Sequence, residues 1–203
     1  MKRCVIFGAG EYDEAPPPAD ADVYIAADGG LREMRKRGIT PDLLIGDLDS
    51  LGGAPEGVPL IRLPVKKDVT DLDAAIGEGL ARGCDTFELY GVLGGRPDHS
   101  YANISLIARL AKRGIRAVLH GAGYSIEAVC CGALSLPARE TGTVSVFSFT
   151  DRSEGVTIRG LQYPLDNAAL TADFALGVSN AFTGQAAEIS VREGILIVMT
   201  ENP

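Results

Sequence analysis

Short apolar runs alternate with helical patterns over the first 122 residues of the chain. Runs of three to five apolar residues predict strands, and apolar residues three or four positions apart predict the helices between them. The predicted strands are 3–7, 23–27, 43–45, 60–63, 87–90 and 116–120. The predicted helices are 31–37, 71–82 and about 100–113, and each is followed by a glycine (Gly38, Gly83, Gly114). Alternation of this kind predicts a parallel sheet covered on both sides.

From Ser125 onward the pattern favours strands alone. The candidate strands are 125–129, 144–149, 156–159, 187–191 and 195–200. The last two flank Arg192, Glu193 and Gly194, a sequence typical of a hairpin turn. The chain therefore predicts an α/β domain, residues 1–122, with a mostly parallel, Rossmann-like sheet. An all-β, sandwich-like domain, residues 123–203, is predicted to follow it.

Composition and charge narrow the class of protein. The 203 residues are 46% hydrophobic and 23% charged, which is typical of a globular chain. A net charge of −8 without a basic stripe argues against binding to nucleic acid. We expect no membrane span and a cytoplasmic location, because no apolar run is long enough for a span or a signal sequence. The four cysteines (Cys4, Cys84, Cys130, Cys131) lack CxxC spacing, and we expect them to be reduced, without a zinc site.

Aspartates concentrate directly after the predicted strands of the first domain. Asp28 follows the strand 23–27, and Asp47 and Asp49 follow the strand 43–45. Ligands bind beyond the carboxyl ends of parallel strands, so a site is expected there. Several carboxylates in one crevice favour Mg²⁺ shared with substrate phosphates. Each aspartate alone is also typical of a turn or a helix N-terminus, and the hypothesis depends on their number.

Glycine motifs offer weaker signals. Residues 94–96 (GGR) precede the long helix and suit close approach to a phosphate, although a flexible turn with a surface arginine has the same pattern. Residues 8–10 (GAG) begin like a dinucleotide fingerprint, but Asp13 replaces the third glycine, and the chain has no P-loop. The two histidines, His99 and His120, come without a GxSxG elbow, which argues against a serine hydrolase.

Five sequence blocks resemble, in order, those of thiamine pyrophosphokinases. They are ADGG (27–30), PDLLIGDLDS (41–50), KDVTDLDAA (67–75), GGRPDHSYANISLI (94–107) and GVSN (177–180). The resemblance extends over nearly the whole chain, and GDxDS, KDxTD and GGRxDH are specific in combination. It implies a Mg²⁺-dependent enzyme that transfers the diphosphate of ATP to the hydroxyl of thiamine, giving thiamine diphosphate and AMP. It also implies a homodimer of chains with an α/β and a β-sandwich-like domain.

The resemblance implies a role for each matching position. The implied catalytic residues are Asp47, Asp49, Asp71 and Arg96, of which the three aspartates would hold Mg²⁺. The implied ATP-binding residues are Asp28, Gly29, Gly30, Lys67, Asp68, Thr70, Gly94, Gly95 and Arg96. The implied thiamine-binding residues, in a pocket at the dimer interface, are Asp98, Ser179, Asn180 and Tyr163, the last in place of a tryptophan found in some relatives. Asp73 departs from the family pattern, and its role stays open.

In the implied reaction the thiamine hydroxyl attacks the β-phosphorus of ATP in line with the departing AMP oxygen. Positioning and charge neutralisation supply most of the catalysis in such transfers. Asp71 is the candidate proton acceptor, although a carboxylate that binds a metal is a poor base.

Two further functions remain as alternatives: a 6-hydroxymethyl-dihydropterin diphosphokinase and a non-catalytic nucleotide or thiamine sensor. GVSN and the all-β tail favour thiamine over the pterin. The complete acidic set favours catalysis over sensing, and also over a plain α/β domain with acidic loops.

Overall fold

The computed structural model describes residues 1–12, 20–46, 57–64 and 69–202. The chain forms two compact units. The first consists of Met1–Asn103 and Ala117–Ala122, and the second of Ile104–Arg116 and Gly123–Pro203. In the described part of the chain, no helix has the length and apolar character needed to cross a membrane. The assignment of separate functions to residues 1–122 and 123–203 stays a prediction.

Within the described residues, the first unit is built on six strands. They are β1 (Arg3–Phe7), β2 (Val23–Ala27), β3 (Leu43–Gly46), β4 (Leu60–Arg62), β5 (Thr86–Tyr90) and β6 (Arg116–Gly121). Their order in the sheet is β6-β5-β1-β2-β3-β4. The β1–β2, β1–β5, β2–β3 and β3–β4 pairs are parallel. This arrangement brings the carboxyl ends of β1, β2, β3 and β5 to one edge of the sheet.

Three helices accompany these strands: α1 (Gly30–Lys36), α2 (Asp71–Ala81) and α3 (Pro97–Ala111). Both α1 and α2 pack against β1 and β2. Helix α3 contributes residues to both units. It begins three residues before the predicted start, because Pro97 is compatible with a first helical turn, where the backbone amides have no intrahelical partner.

The local sequence explains helix α2. The Thr70 hydroxyl accepts a hydrogen bond from the Asp73 amide at 3.1 Å, which confirms Thr70 as the predicted N-cap. The buried residues have the i, i+3, i+4, i+7 spacing of an amphipathic helix and are Leu72, Ala75, Ile76 and Gly79. Gly83, with φ of +79°, follows the C-cap at the predicted place.

The second unit contains two antiparallel sheets. Its strands are β7 (Tyr124–Cys130), β8 (Ala133–Leu136), β9 (Thr143–Ser148), β10 (Arg152–Arg159), β11 (Leu165–Thr171), β12 (Gly177–Ala181), β13 (Ala187–Ser190) and β14 (Ile195–Glu201). One layer has the order β12-β9-β14-β7 and the other β11-β10-β13-β8. Both layers contribute to one apolar core, which includes Val146 and Val198 from the first and Val156 and Ile189 from the second. This is the predicted sandwich-like arrangement.

The predicted hairpin between residues 187 and 200 is wrong. Strands β13 and β14 belong to different sheets, so the residues between them carry the chain from one layer of the sandwich to the other. Glu193 exchanges two backbone hydrogen bonds with Glu154 of β10, at 2.8 and 3.1 Å. The turn signal in the sequence is correct, but the turn pairs with a third strand instead of joining its two neighbours.

The predicted order of an α/β unit followed by a β-rich unit is confirmed. The predicted mostly parallel, Rossmann-like sheet is not confirmed, because strand pairing over the described chain is of both kinds. The β1–β2, β1–β5, β2–β3 and β3–β4 pairs of the first unit are parallel. The strand pairs within the second unit are antiparallel. Strand pairing in the described chain is therefore mixed. The sequence analysis also missed strands β8, β11 and β12.

Candidate functional site

A cleft of about 620 Å³ lies at the carboxyl ends of β1, β2 and β5. The chain leaves these strands at Gly8, Asp28 and Gly91, and all three residues line the cleft. Because the three strands pair in parallel, their carboxyl ends meet at one edge, which is where open α/β sheets bind ligands. The volume falls within the range typical of small-molecule sites.

Six residues that the sequence analysis selected line this cleft. They are Asp28, Thr70, Asp71, Gly94, Gly95 and Arg96. Gly29 and Gly30 come next after Asp28, as the N-cap and the first residue of α1. The other predicted residues of this site, Asp47, Asp49, Lys67 and Asp68, lie outside the described residues. The structure thus brings the described ATP-side residues to one location.

Two glycines allow the backbone segments behind the cleft to approach one another. A Cβ atom on Gly30 would lie 2.0 Å from the Phe7 carbonyl oxygen, and one on Gly8 would lie 2.5 Å from the Gly91 oxygen. Both distances are shorter than any normal contact. A larger residue at Gly30 would force α1 away from the end of β1, and one at Gly8 would force apart the segments that follow β1 and β5. The close approach of α1 to the end of β1 therefore depends on Gly30.

Asp28 occupies an unusual backbone conformation. Its φ is +46°, in the left-handed region, and its amide donates to the Ile45 carbonyl at 2.7 Å. Aspartate tolerates this region better than most residues, but such conformations still carry strain and concentrate at functional sites. The bend ends β2 at the cleft and leads directly into Gly29 and the start of α1.

The loop that contains Gly94 and Gly95 is held by one side chain from α3 and one from the segment after β1. The Gly94 amide donates to the Ser100 hydroxyl at 3.2 Å, and the Gly95 amide donates to Glu11 Oε1 at 3.1 Å. The buried Asn103 amide donates to the Val92 carbonyl at 2.6 Å. Both glycine amides therefore have partners in this structure. A phosphate that used them would have to replace Ser100 and Glu11.

Arg96 and Asp98 form a two-bond ion pair at the amino end of α3. Arg96 donates from Nε to Oδ1 of Asp98 at 3.2 Å and from Nη2 to Oδ2 at 2.5 Å. The hydrogen bonds from Arg96 are the main reason that the pKa of Asp98 is lowered, and the same bonds raise the pKa of Arg96. Both side chains are mostly exposed, so the pair contributes little stability and the guanidinium is accessible to an anion.

Asp71 is the first residue of α2 and lines the cleft with Asp28. The positive end of an eleven-residue helix favours phosphate groups beside it. Two carboxylates in the same cleft repel a phosphate unless a cation lies between them. Their hard oxygen atoms are ligands that Mg²⁺ prefers, so the donor chemistry fits this ion. Among the residues that the structure describes, no group of three or more His, Cys, Asp or Glu is placed to hold a metal.

Two of the predicted thiamine residues of the second unit, Tyr163 and Asn180, hydrogen-bond to each other, and the third, Ser179, bonds to a neighbouring strand. Asn180 is 3% exposed, accepts from the Tyr163 amide at 2.9 Å and donates to the Tyr163 carbonyl at 2.8 Å. Tyr163 has a 60% exposed side chain. Ser179 has φ of +58°, and its amide donates to the Ser145 hydroxyl at 3.1 Å. Asp98, the fourth predicted thiamine residue, belongs to the first unit.

Several residues of the cleft were missed or discounted in the sequence. Gly8 and Gly10 line it, although the broken dinucleotide fingerprint argued against a role for them. Their position directly after β1 was the useful signal, the same one that identified Asp28 after β2. His99 and Asn103 also line the cleft, and Glu11 holds its loop. His99 is the last residue of the GGRxDH motif and Asn103 lies in the block 94–107, so the sequence marked both positions, whereas Glu11 lies outside all five blocks.

Fold and cleft define a class of two-unit proteins, in which a β-sandwich unit accompanies an α/β unit with a cleft at the carboxyl ends of parallel strands. A model of the thiamin pyrophosphokinase catalytic domain matches residues 18–119. A model of the thiamin pyrophosphokinase vitamin B1 binding domain matches residues 133–196. The chain belongs to the thiamin pyrophosphokinase family. The family and the thiamine diphosphokinase function predicted from the sequence are confirmed, and the pterin and sensor alternatives are not favoured.

Individual relatives agree with this membership. Thiamine pyrophosphokinase of Bacillus subtilis (strain 168) is 28% identical over 184 residues, which cover 87% of this chain and 86% of the relative. The crystal structure of thiamine pyrophosphokinase from Bacillus subtilis matches with a TM-score of 0.88 and 26% identity, covering 99% of both chains. The crystal structure of a thiamin pyrophosphokinase family protein from Enterococcus faecalis matches with a TM-score of 0.84 and 25% identity, covering 100% of both.

Proposed function

We propose that the chain transfers the terminal diphosphate of ATP to thiamine in the cleft of its first unit. The observation that carries this proposal is that six site residues predicted from the sequence line one cleft of about 620 Å³. A bond forms between the thiamine hydroxyl oxygen and the β-phosphorus, and the bond between that phosphorus and the AMP oxygen breaks. The products are thiamine diphosphate and AMP.

On the ATP side, the proposal assigns the phosphates to the part of the cleft that the loop after β1 and the loop after β5 line together. Gly8, Gly10, Gly94 and Gly95 all line the cleft, so little side-chain bulk separates backbone from ligand there. Arg96 lies at the same cleft and offers the geometry for paired hydrogen bonds to phosphate oxygens. Positioning and charge neutralisation by these groups are the main catalytic contributions.

The proposal includes Mg²⁺ held by Asp47, Asp49 and Asp71, with ATP contacts from Lys67 and Asp68. When bound, the ion supplies neutralisation of the charge on the phosphates. Asp71 lines the cleft at the start of α2, and its carboxylate suits this role. The proposal also assigns Asp71 as the acceptor of the hydroxyl proton. Metal binding by the same carboxylate would weaken that second role.

On the thiamine side, the proposal assigns Tyr163, Ser179 and Asn180 to the pocket, together with Asp98. Since the Asn180 amide bonds the Tyr163 backbone on both sides, Asn180 acts by fixing the position of the tyrosine. The exposed Tyr163 ring is available for stacking on an aromatic substrate.

The proposal places this pocket at the interface of a homodimer. Phe174, Leu176 and Val178 are exposed apolar side chains at and beside β12, an edge strand, and burying them would favour association. A cytoplasmic location is part of the proposal, and the four free cysteines agree with it.

The experiment that tests this function compares acceptors and products. The purified chain is incubated with Mg·ATP and either thiamine or 6-hydroxymethyl-dihydropterin, and adenine nucleotides are separated by chromatography. We expect AMP and thiamine diphosphate in equal amounts with thiamine, and no AMP above background with the pterin. ADP as the nucleotide product, or AMP formation with the pterin alone, would reject the proposal.

Ser179→Ala should raise the KM for thiamine about fivefold, since a lost hydrogen bond to a bound ligand is worth about 1 kcal/mol. Its kcat should stay within about twofold, because the hydroxyl does not touch the reacting phosphate in this proposal. Steady-state kinetics with thiamine varied at saturating Mg·ATP measure both constants. Ser135→Ala, on the exposed edge strand β8, is the control and should change neither. An unchanged KM in Ser179→Ala places thiamine elsewhere.

A further inference from the structure

Two adjacent cysteines lie at a corner of the sandwich, away from any role in the proposed reaction. Cys130 is the last residue of β7, and after Cys131 and Gly132 the chain enters β8 in the other sheet. The side chain of Cys131 is exposed and that of Cys130 is partly buried. Their Sγ atoms are 3.8 Å apart. The pair therefore presents two thiols on the same side of the chain, within reach of solvent.

The backbone on both sides of this pair is fixed. Cys130 pairs with Ile195 of β14, and the Gly132 carbonyl accepts from the Val191 amide at 2.9 Å. The crossing from β13 to β14 thus runs beside the crossing from β7 to β8. Cys131 has φ of +47°, a conformation that a non-glycine residue keeps only when its surroundings impose it. The backbone that carries both thiols is accordingly held in place before any ligand arrives, which favours binding.

The spacing suits a bridging atom better than a disulfide. A disulfide needs sulfur atoms about 2.05 Å apart and Cα atoms about 4.4–6.8 Å apart, whereas Cα atoms joined by a trans peptide are only about 3.8 Å apart. Two bonds of about 2.3 Å, the length found for thiolate ligands, span the observed Sγ separation with an angle of about 110° at the bridging atom. One soft atom of this size can therefore bind both sulfurs without rearranging the corner.

The surroundings favour an atom that needs only two protein ligands. Among the described residues, no set of three or more His, Cys, Asp or Glu could complete a metal site around the pair. An arsenic(III) atom with one organic substituent takes two sulfurs and is then fully bonded. Partial burial, with the hydrogen bond to Cys131, raises the pKa of the Cys130 thiol.

We propose that Cys130 and Cys131 form a dithiol site that chelates trivalent organic arsenicals and chemically similar soft electrophiles. In the reaction, R–As=O and two thiols give R–As(S–Cys)₂ and one water. Two As–S bonds form, both S–H bonds and the As=O bond break, and the two protons leave with the oxygen. No atom changes oxidation state, so the reaction requires no oxidant.

The test titrates the reduced, full-length chain with phenylarsine oxide and counts adducts by intact-protein mass spectrometry. We expect one adduct per chain, which 2,3-dimercaptopropanol removes and an equal thiol concentration of 2-mercaptoethanol does not. Cys131→Ser and Cys130→Ser should each weaken binding at least ~100-fold, because the second As–S bond is lost. Cys84→Ser, which changes a buried cysteine elsewhere, should bind as the unaltered chain does.

Equal affinity in Cys131→Ser and the unaltered chain would overturn the proposal, as would an adduct that persists when both cysteines are serine. Because Cys131 is exposed, its replacement should leave the core intact. Circular dichroism of the variant is the check that it is folded. The Cys131→Ser result therefore decides the question even if Cys130→Ser is unstable.

Discussion

Gly30→Ala should lower the free energy of unfolding by about 3 kcal/mol, at the upper end of the usual range for overpacking. The new Cβ atom would lie 2.0 Å from the Phe7 carbonyl oxygen, 2.4 Å from its carbon and 2.9 Å from the Gly8 oxygen. All three atoms belong to the backbone at the end of β1, so no flexible side chain can move aside. Urea denaturation followed by circular dichroism measures the loss.

Gly77→Ala is the matched control for this substitution. Gly77 lies within α2, is exposed, and has no atom within 4 Å of the position that a Cβ would take. Alanine should stabilise the helix there by about 0.5–1 kcal/mol. The two variants should thus change stability in opposite directions. Equal stability of Gly30→Ala and Gly77→Ala would show that α1 does not depend on close approach to β1.

Asp71→Asn should reduce kcat with Mg·ATP and thiamine by at least ~100-fold, the size of effect that follows removal of one key electrostatic group. The substitution keeps the shape of the side chain and removes its charge beside the proposed phosphate site. Steady-state production of AMP measures the loss. The same reasoning applies to Asp49, which lies outside the described residues.

Asp73→Asn provides the comparison for Asp71→Asn. Both residues lie in the first turn of α2, so both variants lose a similar interaction with the helix dipole, about 0.5 kcal/mol of stability. Asp73 does not line the cleft, and its amide is bonded to Thr70. We expect Asp73→Asn to retain activity within about threefold. If both variants lose activity equally, the loss reflects the helix terminus and not the Asp71 carboxylate.

The elements that the sequence predicted well are those whose pattern is local. Strands β1 and β2 are continuous apolar runs because both faces of a parallel sheet are covered. Helix α2 carries an N-cap, an apolar stripe and a terminal glycine in one short segment. The strands that were missed, β8, β11 and β12, lie at sheet edges. Edge strands are half solvated, so polar residues such as Asp166 and Asn167 interrupt their apolar pattern.

The wrongly predicted hairpin shows a different limit of prediction from sequence. Arg192, Glu193 and Gly194 form a turn as predicted, and Gly194 has φ of +100°. Whether the strands on either side pair with each other depends on the rest of the sandwich, because each finds partners from distant parts of the chain. Turn chemistry is local, whereas strand pairing is a tertiary property.

The candidate site was predictable where position along a parallel strand determined it. Asp28 follows β2, and residues 94–96 follow the segment after β5, so the topology brings them together. Glu11 could not be found in this way, because its contact with the Gly95 amide joins residues 84 positions apart. Gly8 and Gly10 were discounted because a motif was incomplete, although their place after β1 met the same rule as Asp28.

The most direct measurement of the central claim is a crystal structure with Mg²⁺, thiamine and α,β-methylene-ATP, which lacks the bond that the reaction breaks. The account predicts that the triphosphate lies in the cleft that Gly8, Gly10, Gly94 and Gly95 line, with Mg²⁺ at Asp71. Nucleotide bound outside this cleft, or a metal ion without an aspartate ligand from this edge of the sheet, would contradict it.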